Sequence, residues 1–172
     1  MNRSSLVPRS CARSTASTSI CRGRSGSGTR MRKFTVLAAI LLTGCAATVP
    51  LASESDDAAA KVRVAPTDSA LIYIVRKPQY YGKAILFRAE VDGQSIGGIG
   101  PGTYRVVTVT SGKHTVRVSG NENEESREID AKAGEAYYVV IHARTGLMTA
   151  RVGLDAPDTD GRAFVQGSKL AQ

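Results

Sequence analysis

Beyond Cys45 this 172-residue chain has no cysteine, and before it no acidic residue. The first absence removes disulfides, cysteine-based zinc sites and thiol nucleophiles from everything C-terminal of that position. Histidine is nearly as scarce, with only His114 and His142. Neither sits in a His-x-x-x-His pair, so a metal centre has no ligand pattern to build on. No Gly-x-Ser-x-Gly elbow is present, and a serine hydrolase of that type is excluded. Long apolar runs are missing as well. The longest, Phe34 to Leu42, would form a helix of roughly 14 Å against a hydrocarbon core of about 30 Å, too short for a permanent span.

That run has a telling context. Met31-Arg32-Lys33 stands before it and Leu42-Thr43-Gly44-Cys45 closes it. A positive start, a short apolar segment and small residues at the end read as a secretory signal. With cysteine directly after them, the last four residues resemble the lipobox of bacterial lipoproteins. The resemblance implies that Leu42, Thr43 and Gly44 are read by the signal peptidase and that Cys45 becomes the lipidated N-terminus. The membrane is then the first expected partner, reached through acyl chains on Cys45. Ala46 is not the aspartate associated with inner-membrane retention, so the expected location is the periplasmic side of the outer membrane; the alternative is an inner-membrane lipoprotein.

Processing at Cys45 also changes the charge. Eight of the 23 Lys and Arg residues precede Cys45, and the fifteen that remain match the fifteen Asp and Glu. A chain with formal charge +8 becomes neutral, which removes the case for a nucleic-acid partner. Residues 1–30, rich in Ser, Thr and Arg, are read as a disordered leader or as lying upstream of a natural start at Met31. The second reading is preferred, since Met31-Arg32-Lys33 already makes a complete positive leader.

The expected organisation is therefore residues 1–30 as upstream sequence, 31–44 as signal peptide, 45–69 as lipidated cysteine and flexible tether, 70–157 as a folded domain, and 158–172 as a tail. The tether, rich in Ala, Ser, Thr, Asp and Pro, would span roughly 25 to 30 Å. The folded part reads as all-β, a small antiparallel β-sandwich of about seven to eight strands with room for a short C-terminal helix.

Strands are expected at residues 71–75, 84–91, 94–96, 103–110, 114–119, 126–130, 135–143 and 148–152. Asp92-Gly93 is a strong hairpin signal between the second and third. Val116 and Val118 share one face of their strand. Tyr137 to Ile141 is apolar on both faces and should be central. Gly97 to Gly102 is expected as a turn. Its lack of a following Lys-Ser or Lys-Thr argues against a phosphate loop. In the tail, Asp158 or Thr159 would cap a helix reaching Leu170.

Ile74-Val75-Arg76-Lys77-Pro78, Val91-Asp92-Gly93, Gly102-Thr103-Tyr104, Ser111-Gly112-Lys113-His114 and Ala133 to Val139 resemble bacterial lipoproteins that carry the domain of unknown function numbered 2846. The resemblance spans about Ala70 to Val152. Gly93 to Val118 is also similar to PEGA-type domains, small β-sandwiches of bacterial surface proteins. Both imply an envelope β-sandwich without a recognised catalytic group.

One connection gathers charge and aromatics. Arg76, Lys77, Tyr80 and Tyr81 form the candidate partner or glycan surface, because Tyr and Arg favour recognition patches. The competing expectation has Tyr80 or Tyr81 folded over the sandwich edge as a lid. Glu90 and Asp92 share a strand face, but Asp92 belongs to the turn. The functional expectation is a non-enzymatic, lipid-anchored envelope protein with no cofactor, contacting an envelope protein or cell-wall glycan. The alternative is a small envelope hydrolase or metal-dependent protein acting on such glycans.

Overall fold

The computed structural model describes residues 48–156 and 159–172. Cys45 and its signal, Leu42, Thr43 and Gly44, lie outside the described residues, as do Pro157 and Asp158. Among the described residues nine strands form two sheets: β1 Ser69–Arg76, β2 Phe87–Val91, β3 Gln94–Ile99, β4 Thr103–Thr110, β5 Gly112–Ser119, β6 Glu124–Ala131, β7 Ala136–Thr145, β8 Ala150–Leu154 and β9 Lys169–Leu170. The larger sheet has the order β8-β7-β1-β4-β9 and the smaller β3-β2-β5-β6. The β-sandwich read from the sequence is therefore present. Pairing is antiparallel except for β1 with β7 and β4 with β9.

β1 sits at the centre because nearly every side chain from Ala70 to Val75 is apolar, and all six are buried. Its even positions, Ala70, Ile72 and Ile74, enter the core between the sheets with Phe87, Val116, Val118, Val139 and Ile141. Its odd positions, Leu71, Tyr73 and Val75, face away and form a second core with Tyr104, Val140 and Val165. That outer face is covered by two helices, α1 Glu54–Lys61 and α2 Gly161–Gln166.

Helix α1 corrects the tether. Ser53 caps it by accepting the Asp56 N–H, and Glu54, Asp56 and Asp57 in the first turn with Lys61 in the last complement the helix dipole. Leu51 bridges to Ala171, and Tyr73 donates to the Ala60 carbonyl at 2.7 Å. Magnitude explains why the segment folds back. Leu71, Tyr73, Val75, Tyr104 and Val140 would otherwise be bare, and five such side chains at about 2 kcal/mol each approach the whole stability of a domain.

Asp57 locks the helix in place. Buried, it accepts Tyr104 Oη–H at 3.0 Å and the Leu170 N–H at 2.9 Å, and pairs with Lys61 at 2.9 Å. Burial disfavours the charged carboxylate, but bonds from Lys61, Tyr104 and Leu170 outweigh it and the pKa falls below the ordinary value.

The tail is likewise part of the fold. The cap is Asp160, not Asp158 or Thr159, and the helix ends at Gln166 because the chain turns at Gly167 into β9. Gly161 is required by contact: a Cβ there would meet Tyr138 Cβ at 2.3 Å. Smaller corrections follow from turn geometry. β2 begins at Phe87, not Ala84, after a turn at residues 81–84. Gly97 and Gly98 belong to β3, and Met148 lies in the β7–β8 turn.

Candidate functional site

β1 and β7 run parallel and finish at the same end of the sandwich. Three connections meet there: residues 77–86, 120–123 and 146–149. The first is fastened to β7 through Gln79, whose Oε1 accepts the Ala143 N–H at 2.7 Å. Gly82, at φ +71, lies so close to β7 that a Cβ would come within 2.9 Å of Ala143 Cβ. Only glycine suits both the backbone and the space.

Arg76 lies beneath this loop, with none of its surface exposed. Its guanidinium donates to the carbonyls of Gly82 at 2.7 Å, Ile99 at 3.3 Å and Ile85, and rests 4.2 Å from the Phe87 ring centroid. Nε has no partner among the described residues. Burial pushes the group down to about 10. Its assignment to a partner surface is thus corrected: loop carbonyls, invisible as sequence, draw the side chain inward.

Lys77 is half-buried, pairing with Asp155 and lying 5.0 Å from the Phe164 centroid. The tyrosines behave differently. Tyr80 is 85% exposed and Tyr81 46%, so neither is a lid. Lys83 Nζ stands 4.4 Å from the Tyr80 centroid.

The β7–β8 turn was not among the candidate sites. Leu147 is 88% and Met148 90% exposed at its tip. Glu122 holds the turn from below, its carboxylate accepting the N–H groups of Leu147 and Met148 at 2.8 Å and of Thr149, with Arg151 at 3.3 Å. Those N–H groups, Thr149 first, pull the Glu122 carboxyl down to about 2. A Gly-Leu-Met between two strands was the available signal, since a turn normally carries polar residues.

His142 lies on the helical side of β7. Its Nε2 accepts the Arg144 Nε–H at 2.8 Å, which places the ring proton on Nδ1. Nδ1 is 2.5 Å from Asp155 Oδ1, in ion-pair range but off the hydrogen-bonding direction. Only Nε2 is therefore hydrogen-bonded among the described residues, while Nδ1 faces Asp155 without a hydrogen bond.

His114 is at the opposite end. Nδ1 meets Asp92 Oδ2 at 2.6 Å and Nε2 meets the Thr110 carbonyl at 2.9 Å. The Asp92 bond raises the His114 pKa above its ordinary value, and the same bond lowers that of Asp92. Asp92, at φ +53, also accepts the Thr115 N–H, so its carboxylate serves the hairpin that the sequence signalled.

The two open seams of the sandwich are closed by side chains. Asn123 exchanges two bonds with the Val152 backbone, Glu125 accepts the Leu154 N–H at 2.9 Å, and Arg127 donates to the Asp155 carbonyl. On the other side Arg105 donates to the carbonyls of Gly98 and Gln172. Such contacts blunt edges that would otherwise recruit further strands. A cleft of about 490 Å³ overlies the outer face of the smaller sheet near Leu86, Gly98 and Arg88. Among the described residues, no three His, Cys, Asp or Glu side chains gather as metal ligands, and no helix is long and apolar enough to cross a membrane.

The architecture defines a class: small β-sandwich domains with a helical third layer, in which side chains such as Asp57, Arg76, Glu122 and Glu125 hold loops and seams. Comparison with known proteins gives the family. The model of the family described as protein of unknown function DUF2846 matches residues 66–153, more than half of the chain, and the chain belongs to that family. A similar curated protein is an uncharacterized protein of Haemophilus influenzae (strain ATCC 51907 / DSM 11121 / KW20 / Rd), 26% identical over 135 residues, covering 77% of this chain and 79% of the relative.

Proposed function

We propose that this chain is a lipid-anchored protein of the bacterial envelope, held by acyl chains on Cys45, whose domain works without catalysis by contact through its loop end. The observation that carries the reading is Leu42-Thr43-Gly44-Cys45 directly before a folded domain. Outer-membrane attachment on the periplasmic side follows from Ala46. What supports a non-enzymatic role is that Asp92, His114 and Glu122 direct their hydrogen-bonding atoms at the turns they hold. The exposed residues of the loop end, Tyr80, Tyr81, Leu147 and Met148, are the contact surface.

Intact-mass analysis of protein from its native membrane tests the anchor. The expected species begins at an acylated Cys45, and Cys45→Ser accumulates as uncleaved precursor. A mature chain that retains residues 1–44 with an unmodified Cys45 would falsify the reading. Density-gradient fractionation assigns the membrane.

A further inference from the structure

Val49 and Leu86 both lie 3.7 Å from the point a Cβ on Gly98 would occupy, so the chain enters the fold beside the loop end. Thr48 is only three residues from Cys45, a reach of at most about 11 Å. A domain of about 125 residues has a radius of gyration near 14 Å, so it is wider than this link is long. An acylated Cys45 therefore holds the entry end against the headgroups, rather than letting the domain wander on a 24-residue leash.

That end is built for such a position. Leu147 and Met148 project from a turn fixed by Glu122, with Tyr80, Tyr81 and Leu86 on the neighbouring connection. Aromatic rings with polar tips and short apolar projections suit the interface between water and hydrocarbon. Lys83, stacked on Tyr80, forms no ion pair among the described residues and adds a cation at the same level. Of the other exposed apolar residues, Leu51 lies on the entering chain, bridged to Ala171, and Val62 and Val64 sit towards the opposite end, where Arg63 bonds Thr108.

We propose that the loop end carrying Tyr80, Tyr81, Leu147 and Met148 rests in the lipid headgroup layer, making the membrane of the anchor the occupant of this surface. The inference rests on acylation of Cys45. It fixes the orientation: the α1 exit, the Asp92-Gly93 hairpin and His114 point away from the bilayer.

The chain has no tryptophan, so one introduced indole reports its own surroundings. Met148→Trp, Tyr80→Trp and Val64→Trp change exposed positions, and circular dichroism verifies that each folds. Each acylated protein is reconstituted in phosphatidylethanolamine and phosphatidylglycerol vesicles with bromine on the acyl chains. Met148→Trp and Tyr80→Trp should shift to the blue and be quenched about twofold, as for residues seated at the acyl boundary, while Val64→Trp remains as in buffer. Unquenched indoles at both positions in vesicle-bound, acylated protein overturn the proposal and turn this surface towards a protein or glycan. Mass analysis separates failure of the anchor: if Cys45 proves unmodified, only quenching by added vesicles sustains the lipid surface, and its absence overturns that as well.

Discussion

Replacing Asp57 by Ala should loosen the entire helical layer, because one carboxylate connects α1 to β4 and β9. Two of its bonds, from Tyr104 Oη–H and the Leu170 N–H, are buried or partly so; at about 1.5 kcal/mol each for a charged acceptor they total about 3 kcal/mol. The pair with Lys61 adds at most about 0.5 kcal/mol. A domain of this size has roughly 6 to 19 kcal/mol in all, so Asp57→Ala should fold but melt about 10 °C lower. Asp57→Asn keeps an acceptor oxygen and should lose about half as much. Acid provides an independent check. The folded pKa of Asp57 lies below its unfolded value of 3.8, so its contribution is complete above about pH 4 and vanishes as pH falls through the lower folded value. Both variants should therefore narrow their deficit against the parent in acid. Urea titration at neutral and acid pH, with hydrogen exchange of the Ala58 to Lys61 amides, supplies the measurements. An unchanged midpoint, or α1 amides that exchange like free chain in the parent, would refute the reasoning.

Other consequences are as direct. Arg76→Met should leave the Gly82, Ile85 and Ile99 carbonyls without their donor, costing about 2 to 4 kcal/mol; Arg76→Lys should recover only part, as an ammonium lacks the fork, and urea midpoints rank the three. His114, with its raised pKa, stabilises fully below its unfolded value near 6.5 and loses that contribution as pH rises through the folded value. His114→Gln should flatten stability over that window, and NMR titration of the ring should place the wild-type midpoint above the ordinary one. Gly161→Ala puts a methyl against Tyr138 Cβ and should displace α2, detected as faster exchange in residues 161–166 and a loss of about 2 kcal/mol; unchanged exchange would show that the helix simply slides.

All eight main strands were legible: period-two alternation marks those with one buried face, while β1 and β7, buried on both, show as short runs dense in β-branched and aromatic residues. Asp92-Gly93 was legible for the same local reason, and both residues have positive φ. Helix α1 escaped because its buried residues are Asp57 and Ala60, which make no apolar stripe. Its signal was in the caps: serine at 53, acids in the first turn and lysine at the end. Arg76 misled for a different reason. A buried arginine is stabilised by carbonyls of the loop from Gly82 to Ile85 and of Ile99, and no spacing within the chain announces that they converge. Tyr80 and Tyr81 were recognised as site candidates, whereas Met148 was absorbed into a strand that begins only at Ala150 and Leu147 was passed over. Apolar letters are read as core by default, and the tip shows the opposite use.

The seam made by Asn123, Glu125 and Arg127 grips β8 and the residue that follows it, Asp155, through their main-chain atoms. Recognition of a backbone is blind to the side chains it carries. Arg151, whose side chain reaches Glu122 in the neighbouring connection, can change over generations without loosening that grip, while the three gripping residues cannot. Divergence in this domain should therefore be lopsided, with one margin of the sandwich keeping its chemistry so that the facing margin need keep only its shape.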